Sequence, residues 1–166
     1  MNSEPISLQR AKRYLYASKL LRMADEREAL ESRFIDFFAA AWPEFDPAPL
    51  SLSWHHEAIA EHLEAVAYGQ IRRLLINVPP RHTKTLLVSV ALPAWVWARQ
   101  PDPRYPLIGP QAKFLCLSYS DQLVMDNATR ARRLIASEWY QARWGKRVQV
   151  AHDQDGSLVP WDRPNR

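Results

Sequence analysis

Residues 71–90, IRRLLINVPPRHTKTLLVSV, decide how the 166-residue chain reads. The run 71–78, IRRLLINV, is short, apolar and rich in branched residues, and Pro79-Pro80 ends it, so it reads as a buried strand. PPRHTK (79–84) reads as a loop. From Thr85 to Arg99 the pattern turns helical, with an interruption or kink expected at Pro93. A strand that gives way to a helix through a tight loop aims backbone N–H groups and the positive end of the helix dipole at one spot. An anion is the favoured guest. Lys84 would reach the β- and γ-phosphates of a nucleotide, and the Thr85 hydroxyl would complete the shell of a magnesium ion.

The phosphate-binding pattern G-x-x-x-x-G-K-[S/T] can be laid on residues 78–85. Lys84 and Thr85 match it, while Val78 and Thr83 stand where it has glycine. A threonine at the second of these positions carries a steric cost if the backbone there needs positive φ. Arg81 and His82 add a guanidinium and an imidazole to the same loop. Arg81 either faces solvent, as loop residues usually do, or faces the transferred phosphate and stabilises its developing charge. Pro79 and Pro80 stiffen the loop.

Outward from this loop, helix and strand patterns alternate. Residues 7–42 lack Gly and Pro and carry apolar residues at helical spacing, among them Leu30, Phe34, Phe37, Phe38 and Ala41. Pro43, Pro47 and Pro49 then mark a loop. Residues 1–50 therefore read as a helical N-terminal extension, too short to build a core alone. A second helix starts after Ser53, a good N-cap, and stops at Gly69 with Ile59, Leu63 and Val66 as its apolar stripe. Residues 113–119, KFLCLSY, read as a second buried strand with an inert Cys116. Ser120 or Asp121 caps a further helix, with a weak strand signal at 147–151 and a polar tail holding Asp153, Asp155 and Asp162. The fold class read from this alternation is α/β: a short parallel sheet flanked by helices, with residues 51–166 as one domain.

Composition sets the outer limits. Hydrophobic residues make up 47% and charged residues 24%, as in an ordinary soluble chain, which excludes disorder over the whole length. One cysteine excludes a disulfide framework, and five scattered histidines form no zinc motif. The first 25 residues lack a continuous hydrophobic block, and the run 85–98 is too short to span a bilayer. No membrane role and a cytoplasmic location are expected. The net charge of +4 is compatible with a polyanionic partner. Arg130, Arg132, Arg133, Arg143, Lys146 and Arg147 form a basic cluster that is either a solvated face or a set of DNA phosphate contacts.

WHHEAIAEHLEAVAYGQIRRLLINVPPRHTKT (54–85) followed by FLCLSYSDQLVMDNATRARRLI (114–135) resembles the N-terminal ATPase region of tailed-phage terminase large subunits. The resemblance covers roughly residues 54–150 and rests on several separated elements in order. It implies a P-loop NTPase of the additional-strand type, partial in this chain, whose complete form uses ATP and Mg2+ to drive double-stranded DNA into procapsids in the host cytoplasm. A small terminase subunit and a portal protein are the implied partners. Lys84 and Thr85 correspond to the phosphate and magnesium residues of that family, and Arg81 to the loop arginine near the γ-phosphate. Pro80, His82 and Thr83 complete the nucleotide loop, and the segment around Trp54, His55 and His56 lies in the region near the adenine. The family's acidic Walker B strand and its nuclease domain have no counterpart before Arg166. Two other readings compete: a non-catalytic remnant or DNA-binding module, and a fragment of another P-loop ATPase.

Overall fold

In a computed structural model, residues 6–152 and 158–160 are described, with side chains for residues 12–149. The order is α1 (Ile6–Ser32), α2 (Phe34–Ala41), a 3-10 turn (Trp42–Glu44), α3 (Trp54–Ala67), a π-helical segment (Leu86–Ala91) continuous with α4 (Leu92–Ala98), α5 (Asp121–Ala136), α6 (Glu138–Trp144), β1 (Val150–His152) and β2 (Leu158–Pro160).

The single long helix expected over 7–42 is two helices. Arg33 is extended between them (φ −129°, ψ 127°). Both sides of the break are held by distant residues. The Phe34 N–H donates to Glu64 Oε1 of α3 at 2.6 Å, and the Trp95 indole of α4 donates to the Leu30 carbonyl at 3.1 Å. Groups that a continuous helix would pair within itself are thereby satisfied by its neighbours. The break turns Phe34, Phe37 and Phe38 fully inward, and they form the centre of the core with Trp95, Tyr140 and Trp144. Phe37 meets Trp144 at 5.4 Å and Trp139 at 5.6 Å between ring centroids, and Phe34 meets Trp95 at 5.4 Å, spacings that aromatic pairs favour.

The second helix agrees with its sequence signals. Ser53 caps α3, and Gly69 leaves it at φ +74°, a conformation glycine adopts without steric cost. Around Pro93, which has no N–H and sits in the first turn of α4, the helix is widened into the π-helical segment just before it.

The expected α/β architecture is not what the chain forms. Helices make up most of the described residues, and the only sheet among them is the antiparallel pair β1–β2, with Ala151 opposite Val159. This excludes the short parallel sheet and with it the additional-strand P-loop fold. Residues 71–78 and 113–119 belong to no ladder. In 71–78 a period of two survives: Leu74, Ile76 and Val78 pack against the core, whereas Leu75 is 92% exposed. In 113–119 every residue is exposed, and so is the Cys116 expected to be buried. A strand exists only where a neighbour takes up its N–H and C=O groups. Here the apolar surface is buried helix against helix instead, by α2, α3, α4 and α6. Asp153, Asp155 and Asp162 lie outside the described residues.

Candidate functional site

The loop 79–85 carries the most unusual backbone among the described residues. Arg81 (φ 68°) and Thr83 (φ 54°) both lie in the left-handed region, and among the described residues no other non-glycine does. For a β-branched residue this is a genuine outlier, at a cost on the order of 1–3 kcal/mol. The position where the phosphate-loop pattern has glycine therefore has the backbone that calls for glycine. Two side-chain bonds hold the turn. Thr83 Oγ1 donates to the His82 carbonyl at 2.8 Å, and His82 Nδ1 donates to the Pro80 carbonyl at 3.0 Å. Helical backbone starts at Lys84 and continues through residue 98, its first turn closed by the Leu87 N–H on the Thr83 carbonyl at 3.0 Å.

Arg81, His82 and Thr85 are exposed, and Thr83 and Lys84 are half-buried. Among the described residues neither Arg81 nor Lys84 is in an ion pair. Two cations and the start of a helix thus face one loop with no carboxylate neutralising them, an arrangement suited to an oxyanion.

The N-terminus of α3 stands beside this loop. The His55 and His82 rings are 5.4 Å apart between centroids, and those of His55 and His56 are 4.0 Å apart. Ser53 organises the pair. Its backbone N–H donates to His56 Nδ1 at 3.1 Å, completing a capping box in which histidine takes the place usually held by Glu or Gln. Its hydroxyl lies 2.7 Å from His55 Nδ1. Because His56 Nδ1 accepts from the Ser53 N–H, the neutral His56 ring carries its proton on Nε2. The Nε2 atoms of His55 and His56 are buried and have no partner among the described residues. Burial and the neighbouring His55 push the His56 pKa down, keeping this imidazole neutral at pH 7. Trp54, 79% exposed, stands edge-on to His55 with ring centroids 6.1 Å apart.

The sequence-derived set holds Pro80, Arg81, His82, Thr83, Lys84 and Thr85, which are contiguous, and His55, which the fold brings to them through His82. The positive φ at Arg81 and the double role of Ser53 are features that pattern reading missed. The dipeptide His55-His56 directly after a serine N-cap is the signal that could have suggested the latter.

The basic cluster is divided by the fold. Arg143 pairs with Glu26 at 2.6 Å and Arg147 with Glu31 at 2.7 Å, so both tie α6 and its continuation to α1. Arg130, Arg133 and Lys146 are exposed and Arg132 is half-buried.

Among the described residues no group of three or more His, Cys, Asp or Glu could hold a metal ion, and no helix is long and apolar enough to cross a membrane. No protein-family model, curated protein or solved structure matches the chain.

Proposed function

We propose that the chain is the N-terminal part of a tailed-phage terminase large subunit, the ATP-driven motor that packages double-stranded DNA into procapsids, and that loop 79–85 holds the phosphates of ATP. The observation that carries this reading is the left-handed backbone at Thr83, φ 54°, immediately before Lys84 at the start of a helical segment. A chain keeps a strained threonine where the surrounding structure imposes the turn, and such strain concentrates at ligand-binding loops. The resemblance of residues 54–85 and 114–135 to that family supports the same assignment.

In this reading Lys84 pairs with the β/γ-phosphates and Arg81 with the charge that develops on the γ-phosphate. His82 and His55 border the loop, with the exposed Trp54 ring beside them for the base. The residues fit a nucleotide: two unpaired cations, a helix start and two orphaned buried imidazole nitrogens lie together. Magnesium would arrive with the nucleotide, held by phosphate oxygens and water, with Thr85 Oγ1 as its one ligand from the loop. Double-stranded DNA, a small terminase subunit and a portal protein are the partners that this reading requires, in the host cytoplasm.

Calorimetry with ATP and Mg2+ tests the loop. Binding that Lys84→Ala reduces at least tenfold supports the phosphate role, and equal binding in both chains overturns it. Binding without turnover is expected of this chain alone. Magnesium-dependent hydrolysis removed by Lys84→Ala would refute that last expectation.

The exposed Arg130, Arg133 and Lys146 favour a second reading, a DNA-binding module without catalysis. It requires DNA affinity that falls steeply with salt and is indifferent to ATP.

A further inference from the structure

A cavity of about 560 Å³ lies away from the phosphate loop, between the C-terminal end of α3, the end of α4 and residues 100–108. Its lining includes Glu31, Tyr68, Arg99, Asp102, Arg104 and Tyr105. Tyr68 and Tyr105 meet edge to face at 4.9 Å and form an aromatic wall. The Arg99 guanidinium lies 4.9 Å from the Tyr68 ring centroid and 4.7 Å from that of Trp95.

Contact with the rings gives the guanidinium a favourable cation–π environment but supplies no hydrogen-bond acceptor. Arg99 Nη1 is buried and has no hydrogen-bond partner among the described residues. Leaving such a donor unpaired is costly, more so because it is charged. Neither carboxylate at the cavity relieves it. Asp102 is held by Arg104 through a 2.7 Å ion pair and by the Arg104 backbone N–H at 2.9 Å, and these contacts push its pKa down to about 2. Glu31 accepts from Arg147 at 2.7 Å and from the Trp144 indole at 3.0 Å. Among the described residues Arg99 makes no ion pair. Arg99 adds to the positive field that lowers Asp102, yet among the described residues neither acid bonds it.

We propose that this cavity binds a small molecule bearing a carboxylate or phosphate, its oxyanion paired with Arg99 and its body against Tyr68 and Tyr105. The forked donors of arginine suit both oxyanions, and the volume falls in the range of small-molecule sites. This site is independent of the nucleotide reading of loop 79–85.

Benzoate and phenyl phosphate are the probes, titrated into the whole chain and followed by NMR at the Arg99 side-chain nitrogens. Saturable shifts there with either probe support the site. Benzoate alone assigns it to carboxylates, and phenyl phosphate alone to phosphates. Arg99→Met keeps the stem and removes the donors, and a loss of at least tenfold in affinity is expected. Tyr105→Ala, on the surface loop, is expected to weaken binding severalfold if Arg99→Met does not fold. The same shifts must persist in Lys84→Ala, which separates the cavity from the phosphate loop. Absence of saturable shifts at Arg99 in the unmodified chain, or affinity unchanged in Arg99→Met, overturns the proposal.

Discussion

Thr83 is the residue at which local strain can be measured. Its φ of 54° costs a β-branched side chain about 1–3 kcal/mol, while glycine adopts the same angle freely and loses roughly 0.5–1 kcal/mol through its more flexible unfolded chain. Thr83→Gly is therefore expected to leave stability unchanged or raise it by about 1 kcal/mol, read as the urea midpoint at constant slope. Thr83→Val keeps the branching and loses the hydroxyl bond to the His82 carbonyl, so it should lower the midpoint. A destabilised Thr83→Gly would mean that the turn is not strained. His56 gives a pH signature at the same scale. Its pKa is pushed below the ordinary histidine value of 6.5, so below that pH the unfolded chain takes up a proton that the folded chain resists. Its contribution to stability is complete above about pH 6.5 and is lost as the pH falls below it. Thermal melting at pH 7.5 and 5.5 should show a drop on acidification that is smaller in His56→Gln. The cost at Thr83 was foreseeable from its place in the pattern, whereas the left-handed turn itself, and its recurrence at Arg81, belong to the folded loop.

Among the elements, α1 is joined to α6 through one carboxylate. Glu31 takes both the indole N–H of buried Trp144 and the Arg147 guanidinium, which also donates to the Ala98 carbonyl at the end of α4. Removing it leaves a buried donor and a half-buried charge unpaired, so Glu31→Ala should cost about 2–3 kcal/mol. Glu31→Gln keeps an acceptor for the indole and should cost less, about 1 kcal/mol. Equal losses in the two variants would show that the indole bond contributes nothing. Tyr140 joins α6 to α4 in the same way, its fully buried hydroxyl donating to the Ala94 carbonyl at 2.8 Å. Burial raises its pKa, so the phenol stays protonated and donating throughout the working pH range. None of these pairs is legible in the sequence, since they join residues 46 to 116 positions apart. Two ends of α3 were legible: Ser53 before it and Gly69 after it each act within a few residues of themselves.

For the molecule as a whole, stability rests on one aromatic cluster and solubility on one uncovered segment. Phe37 is fully buried and touches Trp139, Tyr140 and Trp144, so Phe37→Ala should cost about 3–5 kcal/mol and unfold the chain or leave it marginal. On residues 113–119, Leu115 (84% exposed), Leu117 (83%) and Tyr119 (96%) leave apolar surface uncovered within one short segment. Light scattering should show concentration-dependent association that Leu115→Thr with Leu117→Thr reduces, and an unchanged profile would count against this surface as its cause. By itself the sequence determined the helices over 54–67, 84–98 and 121–136 and the contiguous loop with Arg81, Lys84 and Thr85, because capping, periodicity and punctuation act over a few residues, while it missed α6 and read α1 and α2 as one helix. It also marked 71–78 and 113–119 as buried strands, and neither is one. Pairing needs a partner strand, and in the folded chain the helices bury one another while both segments lie outside any ladder. Tertiary structure alone decided the break at Arg33, the place of α2 at the centre of the core, the meeting of His55 with His82 and the unpaired donor of Arg99, since each depends on groups that only the fold brings together.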